Sequence, residues 1–141
     1  MSIEENKAIA QRWLEKLNRK ETDGTEELLA ANFVCYMPGL PGPLQGAKAF
    51  AQFTALLWVA LPDFHYTVEE TSAEGDKVEV RWNAHGTHTG EFMGIPPTGK
   101  QITVTGTNTY RIASGKIVEQ RSDYDQLGIL RQLGIECGFQ C

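Results

Sequence analysis

The chain has 141 residues, with 18 acidic and 13 basic side chains giving a net charge of −5; 41% of it is hydrophobic and 22% charged. This describes one globular domain long enough to bury a core, here residues 1–141 as a single unit. No Lys/Arg cluster is available to neutralise phosphates, so a nucleic-acid surface is not expected, and no apolar run reaches bilayer length.

The longest apolar run, residues 55–61 (ALLWVAL), reads as a buried helix face. The opening MSIEENKAIAQRW begins acidic and lacks an apolar signal core, so a cytoplasmic location is expected. Cys35, Cys137 and Cys141 show no metal-ligand spacing with the histidines, which points to reduced thiols and no metal site. Cys137 and Cys141 are close enough in sequence to pair in a tail.

Ser2 followed by Glu5 has capping-box spacing, and Ile9, Trp13 and Leu17, flanked by Ala10 and Leu14, form one apolar helix face. An Asp23-Gly24-Thr25 turn predicts a short second helix over residues 26–31. The Pro38-Gly39-Leu40-Pro41-Gly42-Pro43 loop follows, which can be neither helix nor central strand. A third helix is expected over residues 47–61, with Phe50, Phe53, Leu57 and Leu61 on one face and Pro62 ending it.

The period then changes to two. Phe64, Tyr66 and Val68 alternate with polar residues, and a Gly75-Asp76 turn leads to Val78, Val80, Trp82 and Ala84. A further long strand covers residues 101–112, a Ser114-Gly115 turn joins it to the last strand, and a short helix over residues 126–133 closes the chain. Helices first and antiparallel strands after describe an α+β domain, with helices on one face of a curved sheet.

Alternation also says which side chains face inward. Ile102, Val104, Gly106, Asn108, Tyr110 and Ile112 share one face, opposite Thr103, Thr105, Thr107, Thr109 and Arg111. Continuing the Val78–Ala84 face past Gly86 reaches His88, provided no bulge intervenes. On the last strand the set Val118, Gln120, Ser122 and Tyr124 is the expected interior, since the alternative would bury Glu119, Arg121 and Asp123. The candidate pocket is therefore lined by Trp82, His88, Asn108, Tyr110, Gln120, Ser122 and Tyr124. The competing reading is a solid core in which these polar groups satisfy one another.

The stretches GTHTGEFMGIPPTGK and GKIVEQRSDYDQLGILRQLG resemble the SnoaL-like polyketide cyclase family, within the nuclear-transport-factor-like superfamily. So do the opening amphipathic helix, the Pro-Gly loop before Gly46-Ala47-Lys48-Ala49-Phe50, and Leu61-Pro62-Asp63. The resemblance covers nearly the whole chain. It implies a cone-shaped α+β barrel whose pocket lies between a curved, mainly antiparallel sheet and the helices. It also implies a homodimer or higher homo-oligomer, a small-molecule substrate, and no metal or organic cofactor. The named cyclases of this family use a pocket aspartate as acid/base in an intramolecular aldol closure of an anthracycline-precursor ester. Ungapped alignment puts that aspartate's position at Ser122 and an accompanying histidine's at Asn108, whereas a further histidine matches at His88. Tyr36 stands where the family's loop commonly has a histidine. The resemblance thus brings the fold across, but not the cyclase's acid/base pair.

Serine is no base near neutral pH. His88 is the candidate proton shuttle, and Asp125, otherwise placed to cap the last helix, is the first choice for a substitute carboxylate. Asn108, Ser122 and the hydroxyls of Tyr36, Tyr110 and Tyr124 are candidates to hold substrate oxygens. The expected function is cofactor-free proton transfer (cyclisation or isomerisation, a lyase or isomerase step) on an apolar oxygenated substrate. The alternatives are a non-catalytic ligand-binding protein on the same fold and a hydrolase of an epoxide or ester.

Overall fold

The structure is a computed structural model that describes residues 2–21, 24–38, 40, 42–91 and 95–134, without the side chains of Gln126, Leu127 and Leu130. Cys137 and Cys141, and any pairing between them, lie outside the described residues. Helix α1 spans Ile3–Asn18 and starts on the anticipated capping box: Glu5 N–H donates to Ser2 Oγ, and Ser2 N–H donates to the Glu5 carboxylate. Its buried face is Ile9, Ala10, Trp13, Leu14 and Leu17, each large side chain contributing about 1.5–3 kcal/mol on burial.

The region after α1 corrects the sequence reading. A single 3-10 turn, Thr25–Glu27, replaces the expected helix over residues 26–31, and strand β1 occupies Leu29–Tyr36. Leu28 to Ala31 favour a helix locally, but the following Phe33-Val34-Cys35-Tyr36 segment pairs in parallel with β6 (Lys116–Tyr124). Tertiary pairing outweighs local propensity there. The two-residue strand β2, Leu44–Gln45, pairs with β1 and leads into α2, Gly46–Ala60.

The remaining strands follow the expected meander: β3 His65–Glu74, β4 Lys77–Thr87, β5 Gln101–Ala113 and then β6. The six-stranded sheet has the order β2-β1-β6-β5-β4-β3, antiparallel everywhere except between β1 and β6. The β5–β6 hairpin turns through Ser114 and Gly115, both at positive φ (53° and 78°), which matches the right-handed twist of the strands it joins. Helix α3, Gln126–Gln132, follows β6.

A register shift between Arg111 and Ile112 inserts one extra residue into β6. Ile117 is consequently fully buried and the anticipated Val118 only half-buried. Beyond this bulge the even residues face inward as expected, because the strand period is two.

The interior divides into two clusters. One packs α1, β1 and α2 against Val78, Val80, Tyr110, Ile112 and Ile117. The other gathers Ala60, Leu61, Phe64, Trp82, Ala84, Ile102, Val104 and Leu133, with Tyr66, Tyr124, Leu57 and Ile129 packed against it. The second contains the candidate site.

Candidate functional site

The register of β4 with β5 runs unbroken from Lys77↔Arg111 to Thr87↔Gln101, so no bulge turns the chain over at Gly86. The pairing continues past the strand: His88 N–H donates to Lys100 C=O at 2.9 Å, and Gly99 N–H donates to His88 C=O at 2.8 Å. His88 therefore points inward and is 1% exposed. Asp63 reinforces the end of β4. Its two carboxylate oxygens accept from the Thr87 N–H (2.7 Å) and the Thr87 hydroxyl (2.8 Å). These bonds, the backbone one first, hold the Asp63 carboxyl below its usual range.

Around His88 lies a cavity of about 90 Å³. Its walls come from α2 (Phe53, Leu57, Ala60) with Leu61, from the sheet (Tyr66, Trp82, Val104, Ser122, Tyr124), and from Ile129 and Leu133. Trp82 lies over Gly106, its cross-strand partner. A Cβ at Gly106 would stand 2.5 Å from the indole and 2.7 Å from the Asp123 carbonyl oxygen, so only glycine admits this ring position. The ring's edges then reach Tyr66 (centroids 5.1 Å) and Tyr124 (6.2 Å).

The imidazole is held from one side. Thr98 N–H donates to Nδ1 at 3.3 Å, and the Thr98 hydroxyl lies 3.0 Å from the same nitrogen. Lys100 N–H donates to that hydroxyl's oxygen, which leaves the hydroxyl proton free for Nδ1. With Nδ1 accepting, the neutral ring carries its proton on Nε2. Nε2 is buried with no protein partner, as is Trp82 Nε1. Buried polar atoms are nearly always bonded, so two unpaired ring nitrogens in the wall of one cavity are a binding signature. Burial raises the Tyr66 and Tyr124 hydroxyls above the ordinary tyrosine range, keeping them neutral.

The seven expected lining residues separate into two groups. Trp82, His88, Ser122 and Tyr124 line the cavity; Asn108, Tyr110 and Gln120 do not. The latter three are 0–3% exposed and bond inside the core. Asn108 Nδ2–H donates to Tyr110 Oη at 2.9 Å, and Gln120 bridges Trp13 and Ser122. Mutual satisfaction is the better description of this group, although Asn108 Oδ1 has no partner.

Two further expectations are corrected. Tyr36 does not line the cavity: its ring lies 4.2 Å beneath the Arg121 guanidinium, on the side of β6 opposite Gln120 and Ser122. Cys35 takes the inward place on β1, and burial pushes its thiol up to about 12. Asp125 is exposed and spent on the α3 N-cap, accepting from Gly128 N–H at 3.0 Å. Among the described residues no carboxylate lines the cavity and no cluster of metal-ligating side chains occurs.

Sequence reasoning missed Tyr66 and Met37 as lining residues and Thr98 as the partner of His88. Tyr66 had a signal, the inward parity it shares with Phe64. Thr98 had none, since a loop residue's neighbour across a hairpin depends on register.

The model of the SnoaL-like polyketide cyclase family matches residues 7–133. The chain belongs to this family. It is 30% identical over 130 residues to the aklanonic acid methyl ester cyclase DnrD of Streptomyces peucetius, covering 89% of this chain and 88% of that protein. With the nogalonic acid methyl ester cyclase of Streptomyces nogalater it shares 32% over 120 residues, covering 83% and 88%. IdmH of Streptomyces antibioticus, a candidate polyketide cyclase of known structure, superposes with a TM-score of 0.80 at 30% identity over 92% of this chain and 99% of that one. A candidate SnoaL-like polyketide cyclase from Jannaschia sp. CCS1 gives 0.86 at 23% identity, covering 97% of each chain. The family's fold, a cone of α+β structure, is the one seen here.

Proposed function

We propose that this chain is a cyclase-type enzyme that closes or isomerises a ring in an apolar, carbonyl-bearing small molecule by proton transfer without a cofactor. One observation carries the reading: His88, in the wall of a mostly apolar and aromatic cavity, has a buried Nε2 with no protein partner. The relatives' names, aklanonic and nogalonic acid methyl ester cyclases, give the substrate class to try first.

In an aldol closure an enolate carbon attacks a ketone carbon, and negative charge grows on the ketone oxygen. A donor fixed in a water-poor site stabilises that charge without reorganising, typically contributing about 10²–10³ in rate. His88 Nε2–H is that donor, and its first task is to donate rather than to act as base. The neutral hydroxyls of Tyr66 and Tyr124 are available for a second oxygen. A C–H flanked by two carbonyl groups is acidic enough to lose its proton to water before closure, and the alkoxide formed takes a proton back from water, so no carboxylate base is required of the wall.

The test is incubation with aklanonic acid methyl ester, following the ring-closed isomer by chromatography at unchanged mass. Closure by the wild type and its loss in His88→Ala is the expected result; closure unaffected by His88→Ala overturns the role of His88. The lack of a carboxylate among the described lining residues favours one second reading, a protein that binds such molecules without turnover. Tight binding with no closure of any keto ester would select it.

A further inference from the structure

Ser122 lines the cavity, and what lies behind it gives its hydroxyl a direction. Trp13, 1% exposed and set in the closed core, faces Gln120, which is 3% exposed. The Trp13 Nε1–H lies 3.3 Å from the end of the Gln120 side chain. An indole N–H can only donate, so that end must be the carbonyl oxygen. The other end is then the NH₂ group, and it donates to Ser122 Oγ at 3.0 Å. With Oγ accepting from inside, the Ser122 proton has to leave on another side. Asn108 sits directly across the strand pair, but its Oδ1 makes no bond to Ser122. The side that remains is the cavity, which Ser122 lines.

We infer that Ser122 is a specificity-determining hydrogen-bond donor to the ligand, its polarity set from the closed core by Trp13 through Gln120. This rests on the cavity being the ligand site. Together with His88 Nε2–H it makes the polar part of the wall donate, so the site selects carbonyl or enolate oxygens. A ligand lacking an acceptor at this point leaves the Ser122 proton buried and unpaired, and such a mismatch is worth roughly tenfold in affinity. Trp13 is a positioning residue: it does not line the cavity, and it acts only through Gln120.

The experiment compares two bicyclic probes of matched size, 1-indanone with one acceptor oxygen and indene with none. Their dissociation constants are measured calorimetrically on the wild type, Ser122→Ala, Trp13→Phe and the double variant. Taking the ratio of the two constants cancels general effects on the pocket. The wild type is expected to prefer 1-indanone about tenfold, and Ser122→Ala to reduce that to about twofold through His88 alone. Trp13→Phe frees Gln120 to turn its carbonyl toward Ser122 and lowers the ratio; in the Ser122→Ala background it changes nothing further. Should circular dichroism show Trp13→Phe unfolded, Gln120→Glu takes its place. Measured at a pH alkaline enough to ionise a carboxyl that burial pushes up, this variant accepts from both Trp13 and Ser122 and lowers the ratio in the same way.

A ratio unmoved by Ser122→Ala overturns the donor. A ratio that falls in Ser122→Ala but not in Trp13→Phe, or that falls further in the double variant, overturns the relay while the cavity reading stands. If neither probe binds the wild type, the cavity reading fails and the donor with it.

Discussion

The two ends of the sheet's inner face are made by the same alternation of the same strands, yet one end closes and the other stays open. Toward the Gly75 end, β4 and β5 present Val78, Val80, Tyr110 and Ile112, and α1 brings Trp13 and Leu14 into the same buried cluster. Toward the Gly86 end, the same strands present Trp82, Ala84, Ile102 and Val104, and the helices opposite are the end of α2 and the short α3. The difference lies less in the sheet than in what covers it. A sixteen-residue helix with a continuous apolar face fills its space, whereas a seven-residue helix roofs without filling. Polar groups do not divide as cleanly: Gln120 is bonded at both ends in the closed half and His88 and Trp82 keep unpaired nitrogens in the open half, but Asn6 Oδ1 and Asn108 Oδ1 are also unpaired.

Truncations sharpen this contrast most. Phe33→Ala in the closed half is expected to cost about 3–5 kcal/mol in chemical denaturation. Leu57→Ala, whose methyls already border empty space, should cost less than about 2 kcal/mol. Equal losses would mean the two halves are packed alike. His88→Ala should lower turnover about 100-fold or more (about 2.7 kcal/mol at the barrier), read on the folded fraction because removing this buried ring also costs stability.

Gly106→Ala drives a methyl into the Trp82 ring and the Asp123 carbonyl, so about 1–3 kcal/mol of stability should go. Near-ultraviolet circular dichroism should report the displaced indole. The smallest effect is at Asp63. Its clamp on Thr87 favours the ionised carboxyl, so its stabilisation is complete above the unfolded value near about 3.9 and is lost as pH falls through the lower folded value. Exposure keeps this below about 1 kcal/mol. Asp63→Asn should flatten the acid limb of a stability–pH curve by that amount.

The sequence was most legible where a single periodicity ruled. α1, α2, β4 and β5 follow from their patterns, and the inward placement of His88 from an unbroken count of two. β1 escaped because its helix-favouring start hides a strand whose partner, β6, lies at the other end of the chain. Val118 and Ile117 exchanged places through a bulge that no composition announces. In the site, parity told inside from outside but not lining from core. Asn108, Tyr110 and Gln120 face the same way as Ser122 and His88, and only the position of α1 decides which of them meet the cavity. Asp125 shows a local rule prevailing: a carboxylate just before a helix start bonds the helix first.

The single parallel pairing, β1 against β6, has a consequence for how the chain reaches this state. It joins Leu29 to Ile117 and Tyr36 to Arg121, while every other pairing in the sheet is antiparallel between strands that follow one another or flank α2's entrance. The β3–β6 meander can assemble from neighbours, but β1 has to wait for a loop spanning most of the chain to close, a cost that slows folding. The barrier to folding should therefore fall mainly on β1 docking, and substitutions in Phe33 or Ile117 that weaken it should slow refolding more than equally destabilising ones in the β3–β4 hairpin. Stopped-flow refolding of the two sets would read the order of assembly directly.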